Sequence, residues 1–427
     1  MDRCRRSPVL LARMFDALIV TGRLTLIDAD GRRWEFGDGD TPPASPDAPP
    51  PESHPVVRLH DRALHWKLAL NPGLYAGEAY MDGALTLDRG GIHDLIALVL
   101  RNAGGGGYGR WDALRDRVRP LLRWLRQINP AARSRRNVAH HYDLSEQLYA
   151  LFLDPDLQYS CAYFTEPGLS LEEAQAAKKR HIAAKLLLRP GQRVLDIGCG
   201  WGGLALHLAR AADVEVTGVT LSQEQLAIAR RRAEEAGLSD RVRFELADYR
   251  RLKGRFDRIV SVGMFEHVGL PHYDTFFATA RDLLSEDGVM LLHAIGRLEG
   301  PGSTSPWLRR YIFPGGYSPA LSEVLPAIER SGLYLTDMEI LRLHYAETLR
   351  HWRERFLANR DKAARLYDER FCRMWEFYLA GCEGAFRYQG HMVWQAQLAR
   401  RLDAVPLTRD YVQQTETATI PAKGLAA

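Results

Sequence analysis

Apolar and polar positions alternate in blocks through the middle of the chain. Arg193–Ile197 is an apolar run carrying a single acid, Asp196, and reads as a short buried strand. It breaks into Gly198, Gly200, Gly202 and Gly203, and Leu204–Arg210 then has the spacing of a helix. Four further apolar runs follow: Val214–Val219, Val242–Leu246, Phe256–Gly263 and Gly288–His293. Strands alternating with helices over about a hundred residues predict an α/β fold, a doubly wound and mostly parallel sheet. In such sheets ligands bind at the carboxyl ends of the strands.

The first hundred residues predict a separate, small α+β domain (1–103). Leu24–Asp28 and Arg33–Phe36, with Asp30-Gly31 between them, form a hairpin. A strand over Val56–Leu59 and a helix over Asp61–Leu70 follow. Between the hairpin and that strand, Thr41–Pro55 holds seven prolines and is expected to be a disordered loop. Gly104–Gly107 is a flexible break. A linker to residue 136 leads to a catalytic domain over 137–412, and the polar tail, 413–427, is expected to be disordered.

Composition narrows the class. The chain has 427 residues, enough for two or three domains. No run of eighteen apolar residues is present, so no spanning helix is expected. The N-terminal apolar stretch is interrupted by Arg13 and Asp16, which argues against a signal peptide. Five cysteines without a C-x-x-C pair argue against a disulfide framework or a structural zinc, and no metal is expected. The net charge of +4 gives no case for nucleic acid. The charge is uneven, however: Arg110–Arg136 holds nine arginines against Asp112 and Asp116, interleaved with Trp111, Trp124 and several leucines. A basic amphipathic segment of this kind suits an anionic lipid surface. A solvated linker helix is the competing reading, and Pro120 argues against one continuous helix.

The strand–glycine–helix unit has the layout of a nucleotide-cofactor loop, because glycine lets the backbone turn and lets a ligand approach it; the glycines alone also suit a simple tight turn, and their surroundings decide. A dinucleotide site would place an acid at the end of the second strand. Here that end reads Thr220-Leu-Ser-Gln-Glu-Gln225, with Thr220 and Gln225 as the polar groups. This counts against NAD and points to S-adenosylmethionine. Methylation of nucleic-acid or protein nitrogen is disfavoured, because the place of an N/D-P-P-Y segment after the fourth strand holds Met264-Phe-Glu-His267.

Six motifs occur in order: His140-His-Tyr-Asp-Leu-Ser145, Tyr159-Ser-Cys-Ala-Tyr-Phe164, Asp196-Ile-Gly-Cys-Gly-Trp-Gly202, Thr220–Gln225, Met264-Phe-Glu-His-Val-Gly269 and Tyr311-Ile-Phe-Pro-Gly-Gly316. Over about Asn137–Gln397 the chain resembles the cyclopropane-fatty-acyl-phospholipid synthase family, which includes the mycolic acid cyclopropane synthases. The resemblance implies a class I, Rossmann-like methyltransferase fold and S-adenosyl-L-methionine as methylene donor. It implies a bicarbonate ion as base, cradled at Cys161, Glu266, His293, the backbone of Ile295, and Tyr345. Cys382 also matches a family position, although a helix-packing cysteine is its simpler reading. For the cofactor it assigns Tyr159 and Ser160, the loop Asp196, Gly198, Gly200 and Gly202, then Thr220, Leu221 and Gln225, and Tyr249 and Arg250 beside the adenine.

The N-terminal domain resembles the extra domain of members acting on phospholipid. The partner implied is therefore a membrane with cis-unsaturated acyl chains, met at the cytoplasmic face by a peripherally bound enzyme. A homodimer is implied by the resemblance alone. The reaction passes through a carbocation, so aromatic faces and a water-free channel are expected. Tyr163, Phe164, Phe265, Tyr311, Phe313 and Tyr345 are candidates for those faces. Two other outcomes stay open: a methyl- or methylene-branched product, and a catalytically silent lipid-binding protein, against which the intact loop and cradle argue.

Overall fold

A computed structural model describes residues 10–38, 54–103 and 145–418. The described chain divides into two compact units. One contains the described N-terminal residues together with 304–313 and 349–390. The other contains 145–303, 314–348 and the residues from 391 onward. The basic segment 110–136, the glycine break and the motif beginning at His140 lie outside the described residues, apart from Ser145.

The N-terminal unit holds a four-stranded sheet. Strands β1 (Leu24–Ile27) and β2 (Arg33–Phe36) form the expected antiparallel hairpin. Strand β3 (Val56–Leu59) pairs parallel to β1, and β4 (Leu85–Arg89), which sequence reading did not identify, pairs antiparallel to β3. The helix expected over Asp61–Leu70 begins at Leu64.

Residues 304–313 and 349–390, expected within the catalytic domain, pack with this unit. The reason is burial. Helix Glu369–Tyr388 buries Trp375, Tyr378 and Leu379 and packs on helices Ile92–Asn102 and Pro72–Met81. A Cβ on Gly384 would stand 2.7 Å from the Leu100 side chain, so glycine permits this close approach. Trp307 is buried in the same unit, its indole N–H donating to Met81 Sδ at 3.2 Å.

The second unit is a seven-stranded sheet. Its strands are β5 (Arg193–Ile197), β6 (Glu215–Thr220), β7 (Val242–Leu246), β8 (Phe256–Val262), β9 (Leu284–Arg297), β10 (Tyr334–Ile340) and β11 (His391–Ala399). They lie in the order β10-β11-β9-β8-β5-β6-β7. Strands β5 to β9 pair in parallel, whereas β11 runs antiparallel to both β9 and β10. The parallel strands are buried by helices on both faces, which is why they appear in the sequence as nearly continuous apolar runs. The order reverses between β5 and β8, and a ligand crevice is expected at that switch point.

Of the tail expected to be disordered from residue 413, the described residues, to Ala418, belong to a helix, Asp410–Ala418. It packs on helix Leu171–Leu186, and Glu416 Oε1 lies 2.5 Å from His181 Nδ1.

Candidate active site

The pocket of the catalytic unit opens at the carboxyl ends of β5, β6 and β8. After β5 the chain turns through Gly198, Gly200 and Gly202, whose φ angles are 85°, 54° and 82°. Gly198 and Cys199 donate their backbone N–H groups to Val219 O at 2.9 and 3.0 Å, which pins the loop to the end of β6. A Cβ on Gly202 would stand 2.6 Å from the Phe244 ring, whereas one on Gly200 would meet nothing within 4 Å. Gly202 therefore serves packing, and Gly200 leaves room for a ligand.

Ten of the eleven residues assigned to the cofactor line this pocket: Tyr159, Ser160, Asp196, Gly198, Gly200, Thr220, Leu221, Gln225, Tyr249 and Arg250. Gly202 is the exception. Asp196 is buried at the end of β5; its Oδ2 has no hydrogen-bond partner, and burial pushes its pKa up to about 7. A buried acceptor of this kind, beside an open glycine backbone, fits the polar groups of a nucleoside-type ligand. Thr220 Oγ1 donates to Gln225 Oε1 at 2.9 Å, so the two polar groups at the end of β6 hold one another. Arg250 pairs with Asp248 at 2.6 Å and lies 5.8 Å from the Tyr249 ring centre, which presents a flat, cation-backed surface. Trp201 also lines the pocket and packs edge-on to Tyr149.

One residue here was invisible to sequence reading. Lys178 is buried on helix Leu171–Leu186 and donates to Ser160 Oγ and Gln158 Oε1, both at 2.7 Å. Burial, opposed by Asp154, lowers its pKa to about 8. Lys178, His181 and Lys185 recur at helical spacing and would be read as a solvated stripe, yet all three are buried.

The loop after β8 joins the pocket to a second group of residues. Met264, His267 and Val268 line the pocket, while Glu266, between them, reaches to β9. Ile295 donates its backbone N–H to Glu266 Oε1 at 2.6 Å. Glu266 Oε2 is buried without a partner, and burial pushes the pKa up to about 7. His293 is two residues earlier on β9, on the same face as Ile295. Burial, helped by Lys178 and Lys185, lowers its pKa to about 3, so the ring is neutral.

Cys161 is buried, its thiol pushed up by burial, and its S–H donates to Ala162 O at 3.3 Å. Thr348 Oγ1 accepts the Ala162 N–H at 3.0 Å. Tyr345 stands one helical turn before Thr348 and is almost buried. Cys382 belongs to the N-terminal unit, on helix Glu369–Tyr388.

The aromatic candidates separate. Tyr163 stacks between His181 and His344 at 4.2 and 4.9 Å, and the Phe164 N–H donates to His344 Nδ1 at 3.0 Å. Phe265, by contrast, is fully buried against Tyr273, Phe276, Phe277 and Trp394, and is a core residue. Tyr311 and Phe313 belong to the N-terminal unit, where Tyr311 donates to Glu78 and Phe313 packs on Tyr378.

The strand order and the glycine loop at the end of β5 define a class I, S-adenosylmethionine-dependent methyltransferase. Within that class, the family described as mycolic acid cyclopropane synthetase matches residues 130–396, and the chain belongs to it. The chain is 42% identical over 351 residues to the cyclopropane-fatty-acyl-phospholipid synthase of Escherichia coli K12, a match spanning 81% of this chain and 88% of the relative. It is 41% identical over 302 residues to the tuberculostearic acid methyltransferase UfaA1 of Mycobacterium tuberculosis, spanning 65% and 70% of the two chains. Among solved structures, mycolic acid cyclopropane synthase CmaA1 complexed with SAH and CTAB superposes with a TM-score of 0.60 at 37% identity, covering 64% of this chain and 99% of that one.

Proposed function

We propose that this enzyme converts cis double bonds in the acyl chains of membrane phospholipids into cyclopropane rings, with S-adenosylmethionine as methylene donor and bicarbonate as base. The observation that carries the reading is Glu266: a buried carboxyl with one oxygen tied to Ile295 N–H and the other unpartnered, on the loop that lines the cofactor pocket.

The alkene carbon attacks the sulfonium methyl. The S–CH3 bond breaks with its electron pair going to sulfur, and a cation is left on the acyl chain. Loss of a proton from the transferred methyl then lets the ring close. Bicarbonate, when bound, supplies the base for that proton. The chain's own residues meet its needs as follows. His293 is neutral and offers a ring N–H to an anion. Glu266, with its pKa near 7, retains a proton to share with an anion rather than repelling it. Because Ile295 N–H is taken by Glu266, its contribution is to hold that carboxyl in place. The buried surroundings of Cys161, Glu266 and His293 keep water from the cation.

Similarity to the E. coli relative extends over 81% of the chain, beyond the matched family region, and this supports phospholipid as the substrate. Among the described residues no helix is long and apolar enough to cross a membrane. Peripheral attachment at the cytoplasmic face, through the basic segment 110–136, completes the reading.

Incubating the protein with S-adenosylmethionine and liposomes of cis-unsaturated phospholipid tests it. The expected lipid is one CH2 heavier and co-elutes with a ring standard in gas chromatography. No mass gain across a panel of unsaturated phospholipids overturns the reading. Co-elution of a product of that same mass with a methylene-branched standard instead, the proton being lost without ring closure, establishes the second one, a C-methyltransferase, which similarity to the tuberculostearic acid enzyme favours.

A further inference from the structure

Strands β9, β11 and β10 lie side by side, and their registers line up three polar residues. His293 on β9 faces Gln395 on β11, and Gln395 faces Glu339 on β10. His293 and Gln395 are 2% and 0% exposed, so each polar atom there needs a partner. Gln395 Nε2 lies 3.1 Å from His293 Nδ1. Lys185, on the helix above the sheet, donates to Gln395 Oε1 at 2.8 Å and also pairs with Glu339. Glu339 is held in turn by His181 Nε2 at 2.7 Å and by Arg409 at 3.9 Å.

The order of donors follows from one fact: an ammonium group has donors only. Gln395 must therefore turn its carbonyl to Lys185, which leaves its NH2 facing His293. Nδ1 of His293 must then accept, and the one proton of the neutral ring sits on Nε2. We propose that Gln395 and Lys185 are positioning residues that fix His293 as its Nε2–H tautomer and so present a neutral N–H donor to the reaction site. The proposal rests on the reading that His293 serves the acceptor side of that site. A hydrogen-bonded partner that selects the tautomer of a working histidine is a general device.

Gln395→Glu tests it with little change of shape. A carboxylate at this position only accepts, so Nδ1 must take a proton, and the ring either changes tautomer or ionises. The expected result is a turnover lower by about 10- to 100-fold, the usual effect of losing an orienting partner, with KM for S-adenosylmethionine within about twofold. Lys185→Arg, which keeps a donor-only partner, is expected to retain most activity. The decisive readout is long-range 1H–15N correlation of 15N-histidine protein, with the His293 signals identified by their loss in His293→Gln. Wild type is expected to show an unprotonated Nδ1, and Gln395→Glu a protonated one. A wild-type His293 protonated at Nδ1 overturns the proposal even if Gln395→Glu does not fold. So does a Gln395→Glu enzyme with unchanged tautomer and turnover, and in that case ring synthesis stands. If wild type instead makes no modified lipid, the functional reading fails while the tautomer measurement still decides the proposal.

Discussion

Ile295 donates its backbone N–H to Glu266 Oε1 at 2.6 Å, and this bond joins the loop after β8 to the strand that carries His293. It fixes one oxygen of a buried carboxyl and leaves the other, Oε2, without a partner. The unpartnered oxygen is the group for which the fold provides no structural role.

Replacing Glu266 by Gln keeps the shape and removes the ionisation. Turnover is expected to fall by about 10²–10⁴-fold, the range for a group handling a proton in the transition state. Affinity for S-adenosylmethionine, measured by calorimetry, is expected to stay near wild type, because Glu266 is not among the residues lining that pocket. Near-normal turnover in the variant would remove Glu266 from the mechanism.

The same substitution has a pH signature in stability. The native carboxyl holds its proton up to about pH 7, against an ordinary value of 4.5. Between those limits the native state binds more protons than the unfolded one, so this group lowers stability as pH rises. The penalty is absent below the unfolded value and complete above the folded one, on the order of 3 kcal/mol. Glu266→Gln is therefore expected to gain stability relative to wild type between pH 5 and pH 8. Denaturant unfolding at the two pH values, compared as a difference between the proteins, checks this. A difference independent of pH would show that the carboxyl is not held protonated.

Two glycines of the loop are expected to respond differently to alanine. At Gly202 the positive φ costs about 1–2 kcal/mol, and crowding against Phe244 adds about 1–3 kcal/mol. At Gly200 only the backbone cost applies, since no atom lies within 4 Å. Gly200→Ala should keep its fold yet bind S-adenosylhomocysteine about tenfold more weakly. Gly202→Ala should show its loss mainly as a lower Tm. Equal Tm changes with unaltered binding would contradict this division.

Neutralising the arginines between Arg110 and Arg136 is expected to weaken sedimentation with anionic vesicles, by about 1 kcal/mol for each arginine near the surface. At about 1 M salt, where screening reaches ~3 Å, wild type and variant should converge. Unchanged sedimentation at low salt would assign the segment to a linker role.

The parts legible in the sequence share one physical property: their signal is local. Strands β5 to β9 are covered on both faces, so each appears as an unbroken apolar run. Strands β10 and β11 gave no such signal. Tyr334–Ile340 is at the sheet edge and only partly covered, and Gln395 and Gln397 put polar side chains in the buried run of β11. The helix Glu369–Tyr388 is amphipathic wherever it packs, and nothing local says that its partner is the N-terminal unit. Phe265, next to Glu266, is a candidate from sequence for an aromatic face at the reaction, but its ring fills the core.

Sequence by itself determined the cofactor loop, the parallel sheet and, through its ordered motifs, the family, because chemistry written in consecutive residues survives without knowledge of the fold. Tertiary structure alone decided the protonation of the site. Glu266 holds its proton to about pH 7 because of what surrounds it. His293 is neutral because it is buried near Lys178 and Lys185, more than a hundred positions away in the chain. Gln395 directs a proton on that ring from a neighbouring strand. A pKa and a tautomer are set by desolvation and by the nearest donors in space, and neither quantity is a property of any stretch of sequence.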